Sequence, residues 1–190
     1  MVNDTEVELK FKLETNLFFK IKERMKQIAK FVKVSEQTDD YFTPAHRNFV
    51  DRKFPFEWLR IRKVGETGIL NYKHFYPENA EVNTHCDEFE TRVENVGQLE
   101  KILSILNFRK LVTIENKREI YMYNDEFEIS LDSIKDLGQF IEIETKKNFG
   151  SVDKAREKLF EFAESLGIDV SKFDKRGYPY LMMENKGLIK

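Results

Sequence analysis

The chain has 190 residues, enough for one domain with a sizeable core, and its 34 acidic against 32 basic residues leave a net charge of -2. That balance argues against a general nucleic-acid binder, which needs a basic excess, and the few Gly and Pro with frequent aromatics, Phe alone at 17, mark a globular and not a disordered chain. The single cysteine, Cys86, rules out an internal disulfide and an all-cysteine metal site; it is expected as a half-buried thiol at a strand edge. The first residues, MVNDTEVELK, lack the apolar centre of a signal peptide. No apolar run approaches the roughly 20 residues of a membrane helix. The expectation is a cytoplasmic protein of one domain, residues 1–190, without membrane or nucleic-acid partners.

Residues 6–13 alternate apolar and charged side chains, the period of a strand, which is placed over 5–13. Residues 16–34 carry Leu17, Phe18, Ile21, Met25, Ile28, Ala29 and Val32 at helical spacing, with Asn16 as N-cap. A short strand around Tyr41 and Phe42 follows, then a loop from Pro44 to Pro55. Trp58 to Lys63 and Ile69 to Tyr76 read as a hairpin across the turn 65–68. Residues 85–94 form another strand, and residues 97–108 a helix with Leu99, Ile102, Leu103 and Leu106 on one face. A long strand over 109–123, a turn at Asn124-Asp125, and strands at 126–131 and 139–146 come next. Ser151 caps a helix through Leu166 that Gly167 ends, and the tail is irregular around an apolar anchor at 178–182. The pattern predicts an α+β, mainly β protein of about eight antiparallel strands and three amphipathic helices. Helices cover the apolar strand faces (Val7, Leu9, Phe11; Leu59, Ile61; Phe127, Ile129, Leu131; Phe140, Ile141, Ile143), and the opposite face lines a wet interior, as in a barrel with a ligand cavity.

What marks this chain is the polar side of those strands. Strand one offers Glu6, Glu8, Lys10 and Lys12; the hairpin Arg60, Arg62, Asn71 and Lys73; later strands Glu88, Glu90, Arg118, Glu128, Ser130, Asp132, Glu142 and Glu144. A single such pair is usually a solvated strand face, but five in one short domain point to a site. Acidic residues at i and i+2 stand about 6–7 Å apart on one face. Glu6/Glu8 and Glu142/Glu144 supply hard oxygen ligands suited to Mg²⁺ or Mn²⁺, while Arg60, Arg62, Lys73 and Arg118 supply a phosphate clamp. Together they suit a polyphosphate bound with a divalent metal. No serine or cysteine nucleophile motif is present, and His46, His74 and His85 form no triad; His74 points away from Lys73.

Glu6-Val7-Glu8-Leu9-Lys10 is the ExExK signature of the CYTH superfamily, the triphosphate tunnel enzymes, and the chain resembles that family over nearly its whole length. DDYF at 39–42, WLRIR at 58–62, Lys73, Glu88/Glu90 and LDSIKDLGQFIEIE at 131–144 follow in the family's order, and GYPYLM at 177–182 is most similar to the class IV adenylyl cyclase branch. The resemblance implies an eight-stranded antiparallel β-barrel forming a charged tunnel, flanked by helices. It implies that Glu6, Glu8, Glu142 and Glu144 hold the divalent ions. Lys10, Arg60, Arg62, Lys73 and Arg118 would grip phosphates, and Glu90 and Asp132 would serve as metal or orienting groups. Glu6, Glu8, Lys10 and Asp132 form the implied catalytic set. One departure stands out: many members carry Lys two residues before the counterpart of Arg118, and here that residue is Asn116. The implied activity is cyclisation of ATP to cyclic AMP and pyrophosphate. Hydrolysis of an inorganic, nucleoside or thiamine triphosphate is the alternative, and binding without turnover the reading of another class. Tyr41, Phe42, Phe75 and Tyr178 are candidates to stack on a base, although packing roles suit each better. A homodimer is compatible with the resemblance.

Overall fold

A computed structural model describes residues 5–65, 67–174 and 176–189. Its elements are β1 (Thr5–Glu6), β2 (Glu8–Leu13), α1 (Thr15–Ile28), β3 (Lys30–Pro44), β4 (Glu57–Val64), β5 (Thr67–Tyr76), β6 (His85–Val93), α2 (Val96–Ile105), β7 (Phe108–Tyr123), β8 (Phe127–Ile134), β9 (Gly138–Thr145), α3 (Val152–Ser165) and α4 (Tyr178–Asn185), with one 3-10 turn at Val170–Lys172. The protein is mainly β and antiparallel with flanking helices, as the alternation predicts. The predicted first strand is interrupted at Val7. The turn expected at 65–68 includes Glu66, and the N-terminal reading includes residues 1–4; these lie outside the described residues.

The chain divides into two compact units. Among the described residues, the first comprises Thr5, 36–65, 67–116 and 176–189, the second 6–35 and 117–174. The long strands β3 and β7 therefore contribute residues to both.

In the first unit, β6, β5, β4, β3 and β7 are successive neighbours. Phe42, Ile61 and Leu103 form its core on one face, with Leu59, Leu70, Val96 and Leu99 against them. The helix α2 begins one residue earlier than expected because the Asn95 side chain accepts a hydrogen bond from the Gln98 amide. Gly68 lies so close beneath it that a Cβ there would come within 2.3 Å of Val96 Cγ2. Only Leu103 of the predicted apolar helix face is buried; Leu99 is half-buried, and Ile102 and Leu106 are exposed. The tail is not irregular. Pro179 in the first turn has its φ set for a helix, and α4 buries Tyr178, Pro179, Leu181, Met182 and Met183. Cys86 is fully buried rather than half-buried.

In the second unit, β8, β9 and β2 are successive neighbours beside β7. Val7, Leu9, Phe11 and Leu13 share a face with Ile129, Leu131, Ile141 and Ile143. Phe18, Ile21 and Met25 of α1, and Ala155, Leu159 and Phe162 of α3, cover that face. The helix α1 stops at Ile28, six residues short of the predicted end. Lys30-Phe31-Val32-Lys33-Val34 is rich in β-branched residues, and strand pairing prevails over the helical spacing. The N-cap position is Glu14, not Asn16, and its side chain makes no capping bond. The β7–β8 turn has φ of 52° at Asn124 and 56° at Asp125, the left-handed pair of a type I′ hairpin. Ser151 caps α3 by accepting from the Lys154 amide, and Gly167 ends it at φ 79°, both as predicted.

Candidate functional site

The strand faces opposite these cores carry the charge, and register decides who meets whom. In the first unit Asp39 lies opposite Arg62, Tyr41 opposite Arg60, Arg60 opposite Asn71, Asn71 opposite Glu90, and Lys73 opposite Glu88. All therefore share one face. Arg62 grips Asp39 with two parallel bonds of 2.8 Å, Nε to Oδ1 and Nη2 to Oδ2. Arg60 reaches the same carboxylate at 3.4 Å and approaches Glu88 at 3.7 Å and Glu90 at 4.0 Å. Lys73 lies 3.5 Å from Glu88, and the Asn71 amide donates to both Glu88 and Glu90. The Arg60 and Arg62 side chains are only 13% and 15% exposed. Burial alone would depress the Arg60 pKa, but Asp39, Tyr41 and Glu88 outweigh it and hold the guanidinium firmly charged.

Asp39 is the residue that sequence reasoning passed over. DDYF carries it in the motif, but nothing local says that this aspartate fastens two arginines. Its neighbour Asp40 points the other way and accepts from Lys63 at 2.8 Å and Thr113 at 2.6 Å, with Lys110 at 3.0 Å. His74 faces away from Lys73, as expected, and contacts Tyr72 and Glu78. Tyr41 and Phe42 are buried, Tyr41 edge-on against Trp58, so both serve packing.

The second unit holds a grid on three strands. One row runs Glu128, Glu144, Glu8; the next Ser130, Glu142, Lys10; the third Asp132, Phe140, Lys12. Directly opposite side chains on such a face have Cβ atoms about 4.5–5.5 Å apart. Phe140 thus belongs to the charged face, not to the apolar face with Ile141 and Ile143. The Lys12 ammonium lies 5.9 Å from its ring centre. Asp132 is fully buried and receives Arg118 in a two-bond fork, Nε to Oδ1 at 2.7 Å and Nη2 to Oδ2 at 2.6 Å. The same Nη2 lies 3.3 Å from Glu142. Lys146, which the alternation puts in register with Glu142 and Glu144, lies 2.5 Å from Glu144. Burial would lower its pKa, but Glu144, Glu128 and Glu6 together raise it. The carboxylates therefore attract a cation.

Of the predicted metal ligands, Glu6, Glu8, Glu142 and Glu144 belong to the second unit, and Glu90 belongs to the first, where it contacts Asn71 and Arg60. Among the described residues no three acidic, histidine or cysteine side chains converge on one point. The donors present fit a small hard cation that takes one or two protein carboxylates and completes its shell with phosphate and water, the habit of Mg²⁺. Glu8 and Glu144, directly opposite each other, are such a pair. Among the described residues no helix is long and apolar enough to cross a membrane.

The CYTH domain family matches residues 4–178 of this chain. A Methanocaldococcus jannaschii protein named "Putative adenylate cyclase MJ0240" is 30% identical over 185 residues, covering 96% of this chain and 99% of its own. Among solved structures, the PH1819 protein of Pyrococcus horikoshii OT3 is 30% identical with a TM-score of 0.78, over 94% of this chain and 98% of its own. A Hippeastrum protein described as "Putative adenylyl cyclase HpAC1", with "a dominant" triphosphatase activity, superposes with a TM-score of 0.65 over 96% of this chain and 95% of its own. At 17% identity that likeness shows the fold alone. The chain belongs to the CYTH domain family.

Proposed function

We propose that this protein is a divalent-metal-dependent enzyme acting on a triphosphate, and that its reaction is the cyclisation of ATP to cyclic AMP and pyrophosphate. The observation that carries the reading is the Arg60–Arg62 pair, two guanidiniums withdrawn from solvent on one strand face and locked to Asp39. A solvated face needs no such fixing; a clamp for phosphate oxygens does. The M. jannaschii relative's name adds support for the cyclase reading.

In this reading the chain positions and neutralises. Arg60, Arg62 and Lys73 in the first unit, and Arg118 and Lys10 in the second, are the cations this reading assigns to phosphate oxygens; such cations stabilise the charge that grows on departing pyrophosphate as the ribose 3′-oxygen attacks the α-phosphorus. Asp39 orients Arg60 and Arg62, and Asp132 does the same for Arg118. Glu6, Glu8, Glu142 and Glu144 would hold Mg²⁺ or Mn²⁺, which when bound supplies Lewis-acid activation of the attacking oxygen. Glu90 remains a further ligand candidate, through the Asn71 and Arg60 contacts that fix its carboxylate.

A second reading, hydrolysis at the γ-phosphorus, rests on Asn116. This buried side chain is neutral where the resemblance expects Lys, one positive charge fewer for placing the α-phosphate. Phosphorus NMR decides between them. The protein is incubated with ATP and Mg²⁺ or Mn²⁺, and in parallel with inorganic triphosphate. Cyclic AMP with pyrophosphate is the expected product; orthophosphate, above all from inorganic triphosphate, would establish the hydrolase. No turnover of either would leave a binding protein.

A further inference from the structure

We propose that Gln37 is a further substrate-binding residue, whose side-chain amide donates a hydrogen bond to a phosphate oxygen; the proposal rests on the triphosphate reading above. Gln37 lies in β3, two residues before Asp39, and alternation puts both on one face. It therefore adjoins the carboxylate that gathers Arg60 and Arg62. It is 6% exposed, yet its Nε2 has no hydrogen-bond partner among the described residues. The Nε of Arg60, beside the same aspartate, is likewise buried without a partner.

Buried amide donors are nearly always satisfied within the protein, and one left over calls for an explanation. Packing does not supply it, because a methionine would fill the same volume with no donor to desolvate. Two unsatisfied donors on a face already furnished with guanidiniums demand an acceptor. An oxygen-rich anion answers that demand, since each phosphate group presents several acceptors and no obligatory donor. A neutral amide adds a directional bond there without adding charge to the balance that Asp39 and Glu88 strike with the arginines. DDYF and the arginines stand out as charge patterns, whereas a glutamine in Glu36-Gln37-Thr38 has no signature of its own; burial reveals it.

The test compares wild type with Gln37→Met and Gln37→Glu by calorimetric titration of inorganic tripolyphosphate in metal-free buffer, where turnover does not intrude. The thermal midpoint of each unliganded protein is measured alongside. Gln37→Met is expected to bind about 10-fold to 100-fold more weakly, the value of one hydrogen bond to a charged acceptor. Its unliganded midpoint should equal or exceed that of wild type, because an unsatisfied buried donor has been removed. Gln37→Glu should bind more weakly still, its carboxylate repelling the anion.

Binding by Gln37→Met within twofold of wild type would overturn the proposal while leaving the triphosphate reading intact. So would weaker binding together with a lowered unliganded midpoint, since the amide would then have its partner in the protein. Failure of folded wild type to bind tripolyphosphate, both in metal-free buffer and with Mg²⁺, would overturn the triphosphate reading and this proposal with it.

Discussion

At the scale of single residues, the site is built from forks that fix other charges. Asp39 holds two guanidiniums and Asp132 a third, so each arginine is oriented before any ligand arrives. Pre-orientation lowers the entropy lost on binding. Arg60→Ala should therefore weaken tripolyphosphate binding by about 2–5 kcal/mol, the cost of truncating one partner of a buried charged contact. Calorimetry checks it, and unchanged affinity would place Arg60 outside the site. Glu8→Gln keeps the shape of the side chain but removes its charge. It should abolish metal-dependent turnover and weaken Mn²⁺ binding while the circular dichroism spectrum stays that of wild type. Full activity in this variant would remove Glu8 from the metal set.

At the scale of elements, the two faces of β3 divide the labour. Asp39 points to the charged face, while Asp40 ties β3 to Lys63 of β4 and to Lys110 and Thr113 of β7. Lys63 in turn reaches Glu100 of α2 at 2.7 Å. Burial pushes the Asp40 pKa up, but Lys63, Thr113 and Lys110 more than reverse it and leave it below its ordinary 3.8. A carboxylate depressed in the folded state takes up protons first in the unfolded chain. Its stabilisation is thus complete above pH 3.8 and disappears as pH falls through the folded pKa. Asp40→Asn should lose about 1–3 kcal/mol at neutral pH in urea unfolding, and the difference from wild type should shrink below pH 3.8. A difference that persists unchanged into acid would mean the charge of Asp40 contributes nothing.

At the scale of the whole molecule, near-neutral net charge hides two strongly charged faces. Opposite charges placed side by side are tolerable in the unliganded protein because each has partners, and a metal–phosphate complex offers both kinds at once. Tripolyphosphate with Mg²⁺ should raise the thermal midpoint by an amount that grows with the logarithm of the ligand excess over the dissociation constant. EDTA should abolish turnover and return the midpoint to that of the protein with tripolyphosphate alone. Turnover that survives EDTA would overturn metal dependence.

Much of this was legible in the sequence, for a definite reason. Alternation is local, so it alone determined which residues share a strand face: Glu8 with Lys10, Arg60 with Arg62, Glu142 with Glu144. Caps and turns are equally local, and Ser151, Gly167 and the Asn124-Asp125 turn follow from their own chemistry. The failures are non-local. Residues 30–34 have helical spacing and strand propensity together, and only a neighbouring strand made them β. Residues 178–185 look irregular until a core is there to bury them. Phe140 is the exception, a local misreading: it shares strand parity with Glu142 and Glu144, so alternation alone puts it on the charged face despite its hydrophobicity. Above all, register is a relation between distant segments that no single segment encodes. Only the tertiary structure put Asp39 against Arg62, lined up Glu128, Glu144 and Glu8, and buried the Gln37 Nε2 without a hydrogen-bond partner among the described residues.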